Sequence, residues 1–136
     1  MEWMLMPLRR YADFEGRSRR MEFWMFQIFQ MLVFGVAAVI FVALAAIAGN
    51  GAVAEVIGGL LVILIVLIAI ALFIPALAVT VRRLHDQGKS GWWYLISFIP
   101  FGSIILLVFM FIDGDQGPNE YGPDPKGTGF DEETFA

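Results

Sequence analysis

Three long apolar runs set the plan of this chain: Phe23 to Ala48, Val56 to Val81 and Trp92 to Ile112, none of them containing a charged side chain. They follow neither an amphipathic helical stripe nor a strand alternation. They are apolar all round, the pattern of a helix that faces lipid or other apolar surface on every side. The first two hold about 26 residues each, against the roughly 20 that cross a hydrocarbon core, so the second is expected to tilt or bend at Pro75. The third is close to that minimum length, and Ser97, Pro100, Gly102 and Ser103 within it predict a kink or a break.

The intervals between the runs carry helix punctuation. Ser18 is placed to cap the first long helix, and Asn50-Gly51 marks a short turn after it. Gly88 suits the position just past the end of the second helix, and Ser90 suits the cap of the next. A turn of about three residues would force the second and third helices into antiparallel contact. Gln27 and Gln30, three apart and so on one face, could reach a neighbouring helix. The expected fold is an all-α integral membrane protein with three transmembrane helices, the second and third forming a tight antiparallel hairpin. Residues 1–22 form an interfacial segment, 23–112 the transmembrane domain and 113–136 a Gly/Pro/Asp-rich acidic tail. That tail ends in the acidic stretch Phe130-Asp131-Glu132-Glu133, and its last ten or so residues are expected to be disordered.

Composition agrees: 59% of residues are hydrophobic and only 16% charged, where a soluble domain carries about 25% charged residues. With no cysteine, disulfides and thiolate metal sites drop out. The first apolar run starts too late and is too long for a cleaved signal peptide, so it is read as a retained span. All but one of the nine Lys and Arg residues precede the first run or sit between the second and third; Lys126 is the exception. With three spans, the positive-inside rule puts the N-terminus and the 82–91 turn in the cytoplasm and the tail outside. If one span were re-entrant, the tail would move to the cytoplasm.

The candidate chemistry lies in those basic elements. Arg17, Arg19 and Arg20 precede the first span; Arg82, Arg83, His85, Asp86, Lys89, Trp92 and Trp93 join the second to the third. Planar guanidiniums and free N–H groups at a helix start suit a phosphate, and tryptophans suit the headgroup layer. These residues are therefore candidates for binding anionic lipid headgroups or a protein partner. A bare orientation signal with a salt-bridged turn is the competing account. One histidine beside one acid falls short of a metal site, and the tail lacks the glycine that a calcium loop needs at its sixth position, where Pro118 stands. No cofactor, metal or nucleic-acid partner is expected. A non-enzymatic role is favoured; a lipid-modifying enzyme using His85 and Asp86 is the minor alternative. A subunit of an oligomeric pore or a transporter accessory is the other, motivated by Pro75, Pro100 and the small residues of the spans.

The sequence resembles the YhaH/YhaI-like family of small bacterial inner-membrane proteins, a domain of unknown function. The resemblance rests on Phe14-Glu15-Gly16-Arg17-Ser18-Arg19-Arg20 with Glu22-Phe23-Trp24, on Arg82-Arg83-Leu84-His85-Asp86 with Gly88, Ser90 and Trp92-Trp93, on Pro100, and on Gly117 to Pro125. It implies a bacterial inner-membrane location and three spans, and brings no catalytic residue. In the tail, Pro118 and Glu120 flank Asn119 where the family has Gly-Glu-Asn followed by a basic residue and an aromatic.

Overall fold

The computed structural model describes residues 2–127. In chain order it contains α1 (Glu2–Arg9), α2 (Arg20–Ala48), α3 (Ala52–His85), a 3-10 helix (Gly91–Phe98) and α4 (Gly102–Phe111). Two helices are long and apolar enough to cross a membrane, α2 with 29 residues and α3 with 34. At 1.5 Å per residue they run about 43 and about 51 Å, against a hydrocarbon core of about 30 Å. They fold back on one another through Gly49, Asn50 and Gly51, both glycines lying at positive φ.

The third apolar run does not form the continuous rod its length suggested. Gly91–Phe98 winds as a 3-10 helix, a form rarely sustained beyond three or four residues. Pro100 follows, Phe101 takes a left-handed conformation (φ 63°), and α4 adds only ten residues, about 15 Å of rise and too short to cross. The two pieces pack on each other. Gly102 lies so close to the Ile96 carbonyl that a Cβ there would overlap it, and the Ser103 hydroxyl donates to the Ser97 carbonyl at 3.2 Å. The tight antiparallel hairpin expected between two full spans is thus replaced by a short broken segment folded against the end of α3. Its far end returns to where it began: Ile112 and the residues after it bond to side chains at the α2 start and the α3 end. The described tail therefore lies at the arginine-rich end of the hairpin, where three full crossings would have carried it to the other.

Helix punctuation is partly as expected. The Gly88 amide (φ +64°) donates to the His85 carbonyl and the Lys89 amide to the Leu84 carbonyl, both at 3.0 Å, the paired bonds of a glycine-terminated helix end. The Ser90 hydroxyl accepts from the Trp92 amide at 3.4 Å. Ser18 is not the cap of α2. That position belongs to Arg19, which offers no side-chain bond, because the Ser18 hydroxyl is turned to accept from Arg82 Nε at 2.9 Å.

Pro75 sits inside α3 and has no N–H, so the Ala71 carbonyl one turn earlier loses its helical donor. In lipid an unpaired carbonyl costs several kcal/mol. The Tyr11 hydroxyl, from the segment after α1, donates to that carbonyl at 2.6 Å. Gln30 on α2 reaches the adjacent Leu72 carbonyl at 3.4 Å, the inter-helix contact its position allowed. The buried core, with Phe23, Phe26, Leu72, Val79, Leu84 and Met110, occupies the arginine end. The most apolar stretches of α2 and α3 are almost bare, 0% and 6% buried.

Candidate functional site

Asp86 is the centre of the arginine end. It is 2% exposed and receives two guanidiniums. Arg17 Nε donates to its Oδ1 at 2.9 Å, and Arg83 Nη1 to its Oδ2. Its backbone carbonyl accepts the Asp115 amide at 2.7 Å. The tail can pass this close because residue 114 is glycine; a Cβ there would fall on the Asp86 carboxylate.

Each guanidinium reaches onward. Arg17 also donates to the Asp115 carbonyl at 2.5 Å and the Gly117 carbonyl at 2.6 Å. Arg83 donates to the Ile112 carbonyl. Arg82 is 0% exposed and faces the other way, toward the N-terminal segment: Nη2 to Glu22 Oε1 at 2.7 Å, Nε to Ser18 and Nη1 to the carbonyls of Arg10 and Asp13. One buried layer of charge thus ties together the segment before α2, the end of α3 and the tail. Chain ends buried without water need such partners, and charge-assisted bonds to carbonyls supply them. Three enclosed guanidiniums face two enclosed carboxylates, so peptide carbonyls take up the remaining positive charge. Arg83 Nε and Gln87 Oε1 are buried with no partner among the described residues.

Around this layer the bonding is looser. Arg10 pairs with Asp13 at 2.6 Å; burial acts to raise that carboxyl, but the Arg10 bond, the Glu15 amide and nearby Arg82 outweigh it and hold it below its ordinary value. Asp113 meets Lys126 at 2.7 Å and Arg20 at 2.8 Å, and the Lys126 bond leads in lowering its pKa. Asp124 folds the tail on itself, accepting the Gly117 amide at 3.1 Å and the Lys126 amide at 2.8 Å.

The candidate binding residues therefore gather at one end and divide into two kinds. Arg17, Arg82, Arg83 and Asp86 are enclosed and committed to one another and to backbone. Arg19 is half-buried, donating to the Pro125 carbonyl with its guanidinium 5.3 Å from the Trp3 ring centre. Arg20 is more open, and Lys89 rests over the Phe109 ring at 4.9 Å. Trp92 is 79% exposed and Trp93 lies edge-on to Phe109. His85 stacks on Tyr121 at 4.0 Å, with Nδ1 3.2 Å from the Gly16 carbonyl. Asn119 donates to the His85 carbonyl at 2.9 Å. Glu22, Ser18 and Gln87 belong to the buried layer without having been marked as site residues. Glu22 stands in the first turn of α2, where an acid suits the helix dipole, so its position alone does not single it out as a counter-ion.

Residues 11–123, which include the whole of this charged layer, match the family model described as a protein of unknown function, DUF805. The chain belongs to that family. Of its relatives, inner membrane protein YhaI of Escherichia coli strain K12 is 41% identical over 128 residues, covering 93% of this chain and 97% of the relative. Inner membrane protein YhaH of the same strain is 39% identical over 128 residues, with 93% and 98% covered. An uncharacterised protein of that strain, YiiR, is 32% identical over 83 residues, 42% of this chain and 57% of its own. No solved structure matches the chain. The two long apolar helices and these relatives make this an inner-membrane protein of the DUF805 type.

Proposed function

We propose that this DUF805 chain is a non-enzymatic inner-membrane component that engages lipid headgroups at the cytoplasmic face. In this reading α2 and α3 cross the membrane, and residues 91–112 form a re-entrant wedge that enters and leaves on the cytoplasmic side. The observation that carries it is the bonding of Arg17 and Arg83 to Ile112, Asp115 and Gly117, which holds the exit of α4 at the end where the 3-10 helix begins. Every lysine and arginine then lies at that end, and the 49–51 connection carries none, which is the asymmetry of a cytoplasmic face. Because Arg17, Arg82 and Arg83 are enclosed, headgroup contact falls to Arg9, Arg20, Lys89, Trp92 and Trp93, whose cations and indoles suit that layer.

Single cysteines test the topology in a chain that has none of its own. Asn50→Cys should react with an impermeant thiol reagent in intact spheroplasts, while Glu15→Cys and Gln116→Cys should react only after lysis. A Gln116→Cys protein labelled from outside rules out the re-entrant arrangement. For headgroup contact, replacing Arg9, Arg20 and Lys89 together with Gln should lower co-purified anionic phospholipid; unchanged lipid on a correctly inserted protein rejects that role.

A further inference from the structure

We infer that the open cleft between the end of α3 and the 3-10 helix binds a phospholipid whose headgroup carries a primary ammonium. This rests on the headgroup-level placement proposed above. The cleft has a volume of about 380 Å³. Leu77, Val81 and Leu95 give it an apolar wall, and Trp92 and Tyr94 flank it. Leu77 lies two turns below His85, about 12 Å along α3, so the apolar part extends along the span in the direction an acyl chain would take.

The polar end has an acceptor with nothing to accept from. The Gly16 carbonyl opposite His85 Nδ1 can only accept, so Nδ1 carries the ring proton and Nε2 keeps its lone pair. Nε2 has no hydrogen-bond partner among the described residues, and the ring is held in place by its stack on Tyr121. Gly91 keeps the space beside it open: a Cβ there would lie 3.6 Å from Nε2 and 2.7 Å from Val81 Cγ1. The Glu120 carboxylate stands close enough to the ring to favour its charged form, and Ser90 lines the cleft beside it. The polar end thus offers a lone pair, a hydroxyl and a nearby negative charge, with no cation among its lining residues. An ammonium, with three donors and one positive charge, complements that set; a phosphate or glycerol phosphate does not.

Equimolar phosphatidylethanolamine, phosphatidylcholine and phosphatidylglycerol with matched acyl chains, offered in mixed micelles to the full-length protein, provide the test. The retained lipid should be enriched several-fold in phosphatidylethanolamine. Phosphatidylcholine, zwitterionic but without an N–H, separates the hydrogen bond from the charge and should not be enriched. His85→Phe, which keeps the stack on Tyr121 and removes the acceptor, should abolish the preference, and so should Leu77→Trp, which fills the apolar part away from His85. Equal retention of the three lipids, retention of phosphatidylcholine matching that of phosphatidylethanolamine, or a His85→Phe protein that keeps the preference overturns the site. Selective capture of phosphatidylglycerol overturns it too but leaves the headgroup reading standing, whereas capture of no lipid sinks both. If His85→Phe does not fold, the wild-type lipid series and Leu77→Trp still decide.

Discussion

Asp86 carries more of this structure than any other side chain, because its one negative charge is shared by two enclosed guanidiniums. Asp86→Asn would leave Arg17 and Arg83 buried without their counter-charge, and breaking a buried pair from one side costs about 3–5 kcal/mol. Thermal unfolding in a fixed detergent should show a large drop in midpoint; a shift within a degree or two of wild type would mean that water reaches the layer. Asp113 is different, being exposed and holding the tail through Lys126 and Arg20. Its pKa is held below the ordinary 3.8, so its contribution is complete above that value and is lost as pH falls through the lower folded-state pKa. Anisotropy of a dye on Gln116→Cys should therefore be flat from neutral pH to about 5 and fall only in stronger acid, with Asp113→Asn lowering it across the flat range and converging on wild type in strong acid. At this scale the sequence was informative about which residues gather and silent about who pairs with whom. Arg82 and Asp86 stand four apart, a spacing that shares a helix face, yet Arg82 turns to Glu22 and Asp86 takes Arg83 and Arg17. Pairs separated by 60 or more residues leave no local periodicity to read.

Among the elements, α3 shows how a local defect is repaired from far away. Pro75 frees the Ala71 carbonyl, and Tyr11 fills the vacancy. Both groups lie on the protein surface, so Tyr11→Phe should cost about 1–3 kcal/mol only where lipid rather than water covers the Ala71 carbonyl, the range for a group left unsatisfied out of water. Pro75→Ala restores an N–H at that position, so in its background the same Tyr11→Phe change should cost much less. Additive costs in the double-mutant cycle would disconnect the two residues. The third apolar run teaches a related lesson. Ser97, Pro100, Gly102 and Ser103 announced a break, but not that the chain would turn back there. What turns it back is contact, since α4 can fold onto the 3-10 helix only where residue 102 has no side chain. Gly102→Ala should separate α4 from the 3-10 helix, exposing the Trp93–Phe109 contact and changing tryptophan emission; an unchanged spectrum and melting point would refute that tight approach.

Across the whole molecule, bonding is concentrated at one end. The buried core and the charged layer lie together there, while the apolar stretches of α2 and α3 away from it are covered by almost no protein. The two long helices and the membrane class were legible because uninterrupted apolar runs depend on nothing outside themselves. The end of the helix pair at which the tail packs was not, because it depends on bonds between distant parts of the chain.

Arg17 precedes the Gly117 carbonyl it finally bonds by 100 residues. During synthesis Arg17 must therefore stay hydrated until residue 117 has been made, and Arg83 until residue 112, whereas every partner of Arg82 precedes it in the chain. In that interval Arg17 and Arg83 are free to act as orientation signals for α2 and α3, and only afterwards are they sealed away. A chain truncated after Ile112 should insert in the correct direction yet remain sensitive to protease around residue 17, since it lacks the strap of Asp115 to Gly117 that encloses that arginine.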